Sequence, residues 1–355
     1  MPYDPRAMRA VMNSLLIGLP VAVAARFLDW PHWITLTASA ISLLPLAAWI
    51  GRATEHAAAR MGPGLGGLLN ATFGNAAELI IAIFALRRGL IELVKASLTG
   101  SIIGNTLLIL GLSALVGGLR HGTQKFSVKP AGRHAAMMIL AVSAMALPAV
   151  FATLEQDAFV REEVSIGVSI LLLLTYAAYV YFSYFSKERE DAGIPAVEAH
   201  EGVWSLGRSL AVLAAAVAGT AVASEILVHA VEPVSQQAGI SQLFLGLILI
   251  PVVGNAAEHY SAIVFAYRNK MDLAVSVAAN SSTQIAVFVA PFLVLVSLLF
   301  HPMDLIFQPI ELITLFASSA IFAYNSLDGE TNWLEGVQLL ALYLIAAVAF
   351  FFLPG

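Results

Sequence analysis

The stretch NATFGNAAELIIAI, Asn70 to Ile83, places the carboxylate of Glu78 in a run so apolar that its nearest charged neighbours are Arg60 and Arg87. Further along, PVVGNAAEHYSAI, Pro251 to Ile263, repeats the pentapeptide GNAAE and sets Glu258 in the same surroundings. An ionisable group in such a run is costly, so a functional role is the default reading. No Lys, Arg or His lies within the first run to pair with Glu78, and the recurrence argues against an acid that is merely tolerated.

Those runs are two of many. Of 355 residues, 59% are apolar and 12% charged, about half the charge of an ordinary soluble domain. A membrane-crossing helix needs roughly 20 mostly apolar residues. Such stretches stand near residues 11–28, 33–50, 64–86, 90–116, 132–153, 163–185, 205–229, 240–266, 273–300, 305–324 and 332–353, eleven spans in all. The runs lack the short alternation of barrel strands, so the expected fold class is an all-α integral membrane protein. The first run follows Arg6 and Arg9 but has no convincing small-residue cleavage site, so it reads as a retained helix rather than a signal peptide. The absence of Cys excludes disulfides and thiolate metal sites, and with a net charge of −5 no nucleic-acid partner is expected.

With the N-terminus in the cytoplasm, 13 Lys and Arg fall inside and five outside: Arg26, Arg87, Arg88, Lys95 and Arg161. The positive-inside rule therefore gives N-in, C-out, with much of the bias carried by the loop from Arg120 to His134.

An offset of 180 residues aligns Gly74 with Gly254, Asn75 with Asn255, Glu78 with Glu258, Arg88 with Arg268, Glu92 with Asp272 and Ser101 with Ser281. The expected organisation is an N-terminal helix over 1–30, a first five-helix unit over 31–186, a cytoplasmic acidic linker over 187–204 and a second five-helix unit over 205–355. Five spans per unit is an odd number, so the second unit enters the membrane from the opposite side. Transporters with such inverted repeats bind their cargo near the bilayer midplane. The linker, Ser186 to Gly202, holds Glu188, Glu190, Asp191, Glu198 and Glu201, which suits either a solvated connector or a regulatory acidic segment.

Each Asn of the pentapeptide lies three residues before its Glu and so shares a helix face with it. His259 points roughly 100° away from Glu258, a supporting or packing position rather than a ligand. Gly62, Pro63, Gly64, Gly66 and Gly67 precede the first copy, and Pro251 opens the second. They suit either an interrupted helix with free carbonyls or close helix packing. The next span of each half is polar in register: Ser101, Gly104 and Asn105 in LTGSIIGNTL, and Asn280, Ser281, Ser282, Thr283 and Gln284 in AANSSTQIAV. A site built from two carboxylates, amide oxygens and hydroxyls is all oxygen, which is hard-cation chemistry. Calcium fits best, because magnesium sheds its water reluctantly and zinc, copper or nickel would recruit His or Cys. Mn²⁺ and Cd²⁺ stay open as competitors, as does self-association of the chain.

These motifs, read with ATEHAAARMGPGLGGLLNATFGNAAELIIAIFALRRG and ASLTGSIIGNTLLILGLS, resemble over nearly the whole chain the calcium/proton antiporters, the cation/proton exchanger family of the calcium:cation antiporter superfamily. The resemblance implies exchange of cytoplasmic Ca²⁺ for external H⁺ in a plasma membrane of bacterial type, without a cofactor. It implies Glu78 and Glu258 as cation ligands and proton acceptors, with Asn75, Asn255, Ser101, Ser281 and Gln284 lining the path. Gly104 aligns with Gln284, so the halves differ there. A sodium/calcium exchanger would call for further acidic ligands, and a cation channel would show uncoupled flux. An enzyme is not expected, since the chain has no HExxH motif and no paired intramembrane aspartates.

Overall fold

Gly, Ala and Leu recur through helices that expose apolar side chains outward as well as inward, the signature of a fold solvated by lipid. Leu147, Leu171, Leu174, Leu344 and Ile345 are exposed, while Leu43, Ile81, Leu93, Ile103 and Leu107 fill the interior. The structure is a computed structural model that describes residues 5–185 and 203–353. The acidic linker expected over 187–204 lies outside the described residues except for Val203 and Trp204.

The first half runs α1 (Pro5–Ser14), a 3-10 turn, α2 (Gly18–Phe27), α3 (His32–Phe73), α4 (Ala76–Arg87), α5 (Ile91–Ile103), a π-helical segment (Gly104–Ile109), α6 (Leu110–His121), α7 (Val128–Leu154) and α8 (Ala158–Phe185). The second runs α9 (Leu206–Ala238), α10 (Gln242–Phe244), a π-helical segment (Leu245–Leu249), α11 (Ile250–Gly254), α12 (Ala256–Tyr267), α13 (Met271–Gln284), a third π-helical segment (Ile285–Val289), α14 (Ala290–Ser297), α15 (Pro309–Asn325) and α16 (Trp333–Phe351). The strands Gln124–Lys125 and Glu330–Thr331 pair antiparallel at one end of the bundle.

Every one of the expected apolar runs is helical over most of its length. Among the described residues eight helices are long and apolar enough to cross a membrane, and Gln242–Gly254 with Ala256–Tyr267 form a ninth span bent by 64°. The run 305–324 is the shorter α15, and 64–86 is split between α3 and α4.

The Gly-rich run before GNAAE, which suited a kinked or interrupted helix or close packing, forms a closely packed bend. Hydrogen bonding continues from His32 to Phe73, and the chain breaks at Gly74–Asn75 instead. The Gly-rich run bends without breaking: a Cβ on Gly66 would meet the backbone of Ala58, which a straight helix would hold about 12 Å away. Close approach of the turns is what glycine permits here.

Small residues also set the crossings that carry the site. A Cβ on Gly100 of α5 would collide with the Leu247 carbonyl, and one on Gly246 would stand 2.7 Å from Ala96 Cβ. Without a hydrophobic drive between helices in lipid, such close contacts supply the packing energy. The buried Lys95 ammonium is satisfied by Asp304 Oδ1 at 2.6 Å and the Ile306 carbonyl at 2.9 Å.

Candidate functional site

Both pentapeptides break their helices at the asparagine. Asn75 has φ −105° and ψ 26°, and Asn255 has φ −93° and ψ 12°, so neither continues the α-helix. Glu78 then falls in the first turn of α4 and Glu258 in the first turn of α12. At each break the unpaired N–H groups and the dipole of the new helix favour negative charge beside the carboxylate.

The two breaks face each other. A Cβ on Gly254 would stand 3.3 Å from Glu78 Oε1 and 3.4 Å from its Cγ, so the first glutamate lies against the break of the second half. A side chain there would press directly on the Glu78 carboxyl. Glu78 is buried and Glu258 half-buried, and Oε2 of each is itself buried with no hydrogen-bond partner among the described residues. A buried acceptor without a donor is costly, and a cation or a proton would satisfy it.

Amides and hydroxyls cross-link the halves around these groups. Asn75 Nδ2 donates to Gln284 Oε1 at 2.6 Å, and Gln284 Nε2 to Asn280 Oδ1 at 3.2 Å. Asn255 Nδ2 donates to Ser101 Oγ at 3.1 Å and to the Pro251 carbonyl at 3.1 Å. Ser281 Oγ lies 3.4 Å from Asn75 Oδ1 and from Asn255 Oδ1. Five of the seven residues singled out from the sequence, Asn75, Asn255, Ser101, Ser281 and Gln284, therefore share one buried hydrogen-bond network, and Glu78 and Glu258 stand at the helix breaks beside it.

Two residues kept outside that set belong to the network. Asn105 Nδ2 donates to Ser281 Oγ at 3.0 Å and approaches Asn255 Oδ1 at 3.5 Å, while His259 Nε2 lies 3.2 Å from Asn105 Oδ1. Asn105 thus answers across the halves for the side chain that Gly104 lacks: Gln284 reaches Asn75, and Asn105 reaches Asn255. Both halves carry a π-helical segment at matching positions, Gly104–Ile109 and Ile285–Val289, so the halves differ in which residue carries the amide and not in helical phase. On the far side of α13, Thr283 Oγ1 meets His134 Nδ1 at 3.1 Å.

Among the described residues no three His, Asp or Glu side chains cluster to hold a metal. The donors here are two carboxylates, amide oxygens and hydroxyls, so any cation would be held largely by neutral oxygen.

A family model described as "Sodium/calcium exchanger protein" matches residues 31–185 and again 208–352. The Ca(2+)/H(+) antiporter ChaA of Bacillus subtilis (strain 168) is 42% identical over 341 residues, spanning 95% of this chain and 97% of that protein. A Ca(2+)/H(+) antiporter of Synechocystis sp. is 42% identical over 359 residues, 96% of each chain. The solved structure of native YfkE superposes with a TM-score of 0.84 at 41% identity, covering 96% of this chain and all (100%) of that one. An H+/Ca2+ exchanger at 17% identity shares the fold with a TM-score of 0.78, over 99% of this chain and 89% of its own.

Proposed function

The chain belongs to the sodium/calcium exchanger protein family, and we propose that it works there as a multi-pass membrane antiporter exchanging Ca²⁺ for H⁺ at the paired helix breaks. The observation that carries this reading is the meeting of two carboxyls, each with a buried and unpaired oxygen, beside a shell of amides and hydroxyls contributed by both halves. Glu78 and Glu258 bind cation and proton in turn. Asn75, Asn255, Ser101, Ser281 and Gln284 orient them and supply neutral oxygen.

Residues 31–186 and 205–355 act as inverted five-helix units, and the helix over 1–30 stands apart from them. Rocking of one part against another exposes the site to each side alternately. The termini lie N-in and C-out in a bacterial plasma membrane. Protons, more plentiful outside an energised cell, displace calcium there, and the site reloads inside. The transport direction is calcium efflux. Mn²⁺ and Cd²⁺, which accept the same oxygen donors, compete for the site. No cofactor takes part and no covalent step is involved.

The test is calcium uptake by proteoliposomes under an imposed proton gradient, with a sodium gradient as the parallel arm. Uptake driven by protons alone supports the reading. Uptake driven by sodium, or a calcium leak indifferent to either gradient, refutes it in favour of a sodium-coupled exchanger or a channel.

A further inference from the structure

A second polar cavity, of about 370 Å³, opens between α2, α4 and α9, well away from the paired breaks. That volume falls within the roughly 300–1,000 Å³ of small-molecule sites. Arg26, Phe27, Arg88, Val222, Glu225 and His229 line it. Arg26 stands in the last turn of α2 and Arg88 at the C-terminal cap of α4, where helix carbonyls favour positive charge. Glu225 and His229 lie one turn apart on α9.

The charges of Arg26, Arg88 and His32 all act on His229, so these groups converge on one place. Lys95 pairs with Glu92 and Asp304 and Lys125 with Glu330, whereas among the described residues no ion pair engages Arg26, Arg88 or Glu225. All three of these side chains are exposed on the protein surface. Two guanidinium groups and a carboxylate left unpaired around one cavity suit an occupant that carries both an anionic and a cationic group. The depth of the cavity is marked by Trp30 and Trp33, exposed immediately beyond α2, since tryptophan favours the headgroup level of a bilayer.

We propose that this cavity binds a phospholipid headgroup of the phosphoethanolamine class, its phosphate between Arg26 and Arg88 and its ammonium on Glu225. Guanidinium pairs suit a phosphate because their N–H groups match its oxygens two at a time. The carboxylate distinguishes an ammonium-bearing headgroup from a purely anionic one. Phe27 and Val222 give the glycerol and the first methylenes an apolar wall. The bound lipid bridges the N-terminal span, the first break helix and α9, and so ties together elements of both halves.

The shared chemistry is a phosphate ester with an amine, and the assay separates its lipid and soluble sources. The full chain, purified in detergent and stripped of native lipid, is titrated in native mass spectrometry with phosphatidylethanolamine, phosphatidylglycerol and phosphatidylcholine of identical acyl chains, and with soluble phosphoethanolamine. Phosphatidylethanolamine should bind best. Arg26→Gln and Arg88→Gln should each weaken it about tenfold, the loss of one charge-assisted contact. Glu225→Gln should abolish the preference over phosphatidylglycerol while leaving phosphatidylglycerol bound. Arg87→Gln is the control, because Arg87 stacks on Phe84 and does not line the cavity. Retention of the lipid by both arginine variants, or of the headgroup preference by Glu225→Gln, overturns the proposal, as does equal binding of soluble phosphoethanolamine. Should an arginine variant fail to fold, the Glu225→Gln comparison decides alone.

Discussion

Two glycines one turn apart on the same helix should respond in opposite ways to a single methyl group. A Cβ on Gly100 would stand 2.6 Å from Pro251 Cγ and 2.7 Å from the Leu247 carbonyl carbon, whereas one on Gly104 would meet nothing within 4 Å. The Leu247 carbonyl oxygen stands nearer still and ordinary contact begins near 3.4 Å, so Gly100→Ala must push α5 from the α10–α11 segment by roughly 1 Å, and the obstacle is largely backbone. Ser101, the next residue, holds Asn255 through a 3.1 Å bond that spans this same crossing. Overpacking of this kind costs about 1–3 kcal/mol, and a weakened buried hydrogen bond adds roughly 0.5–1.5 kcal/mol. If that cost falls on the ion-binding geometry, proton-driven calcium uptake should drop at least about tenfold. Gly104→Ala should stay within about twofold of the parent protein, because it fills open space and a helix interior favours alanine. The assay is initial-rate uptake in proteoliposomes at matched protein content, with size-exclusion profiles confirming the fold. Uptake unchanged by Gly100→Ala, or lost equally in both variants, would refute the claim that this crossing sets the site.

Glu78→Gln and Glu258→Gln, each removing one charge of the pair, should all but abolish exchange while the protein inserts normally; near-normal flux in either purified variant sinks the shared-site reading. Gln284→Ala strips Asn75 of its 2.6 Å acceptor and Asn105→Ala removes the amide that bonds both Ser281 and His259, so each should weaken apparent calcium affinity about tenfold, and parental affinity in equilibrium binding would show the network to be idle. Calcium requires the ionised carboxylates that protons occupy, so apparent affinity should rise from pH 5.5 to pH 8.5, a range of about three units, with protons released on binding in weakly buffered solution. Binding independent of pH and without proton release contradicts competition for one site.

The glutamates were legible because an acid stranded in an apolar run has few explanations, and the duplication because its offset needs no gap. Other features depend on packing that no residue pattern encodes. The Gly-rich stretch from Gly62 to Gly67 suited a kinked or interrupted helix or close packing; whether the hydrogen-bond ladder opens depends on what the neighbouring turn offers, and here Gly66 settles against Ala58 while the ladder continues. Asn75 and Asn255 break their helices instead, where the breaks of the two halves confront each other. Asn105 stood in the sequence beside the asymmetric Gly104, but whether it compensates is decided by packing across the halves, where its amide meets Ser281 and Asn255.

That exchange of roles keeps the charge of the site simple. Apart from Glu78 and Glu258, the groups that bond one another around the breaks are amides, hydroxyls and the His259 imidazole. A low-dielectric interior penalises uncompensated charge steeply. Two carboxylates are neutralised as well by one divalent cation as by two protons, and those loaded forms are the ones that an occluded site can carry across. The empty, doubly ionised pair is penalised most, which discourages an unloaded crossing and makes passage of one ion conditional on return of the other. Because Glu78 rests on Gly254, within the break that precedes Glu258, a shift of either break moves both carboxyls. Occupancy and movement are thereby linked through the same few atoms, which is the physical requirement for coupled exchange rather than leak.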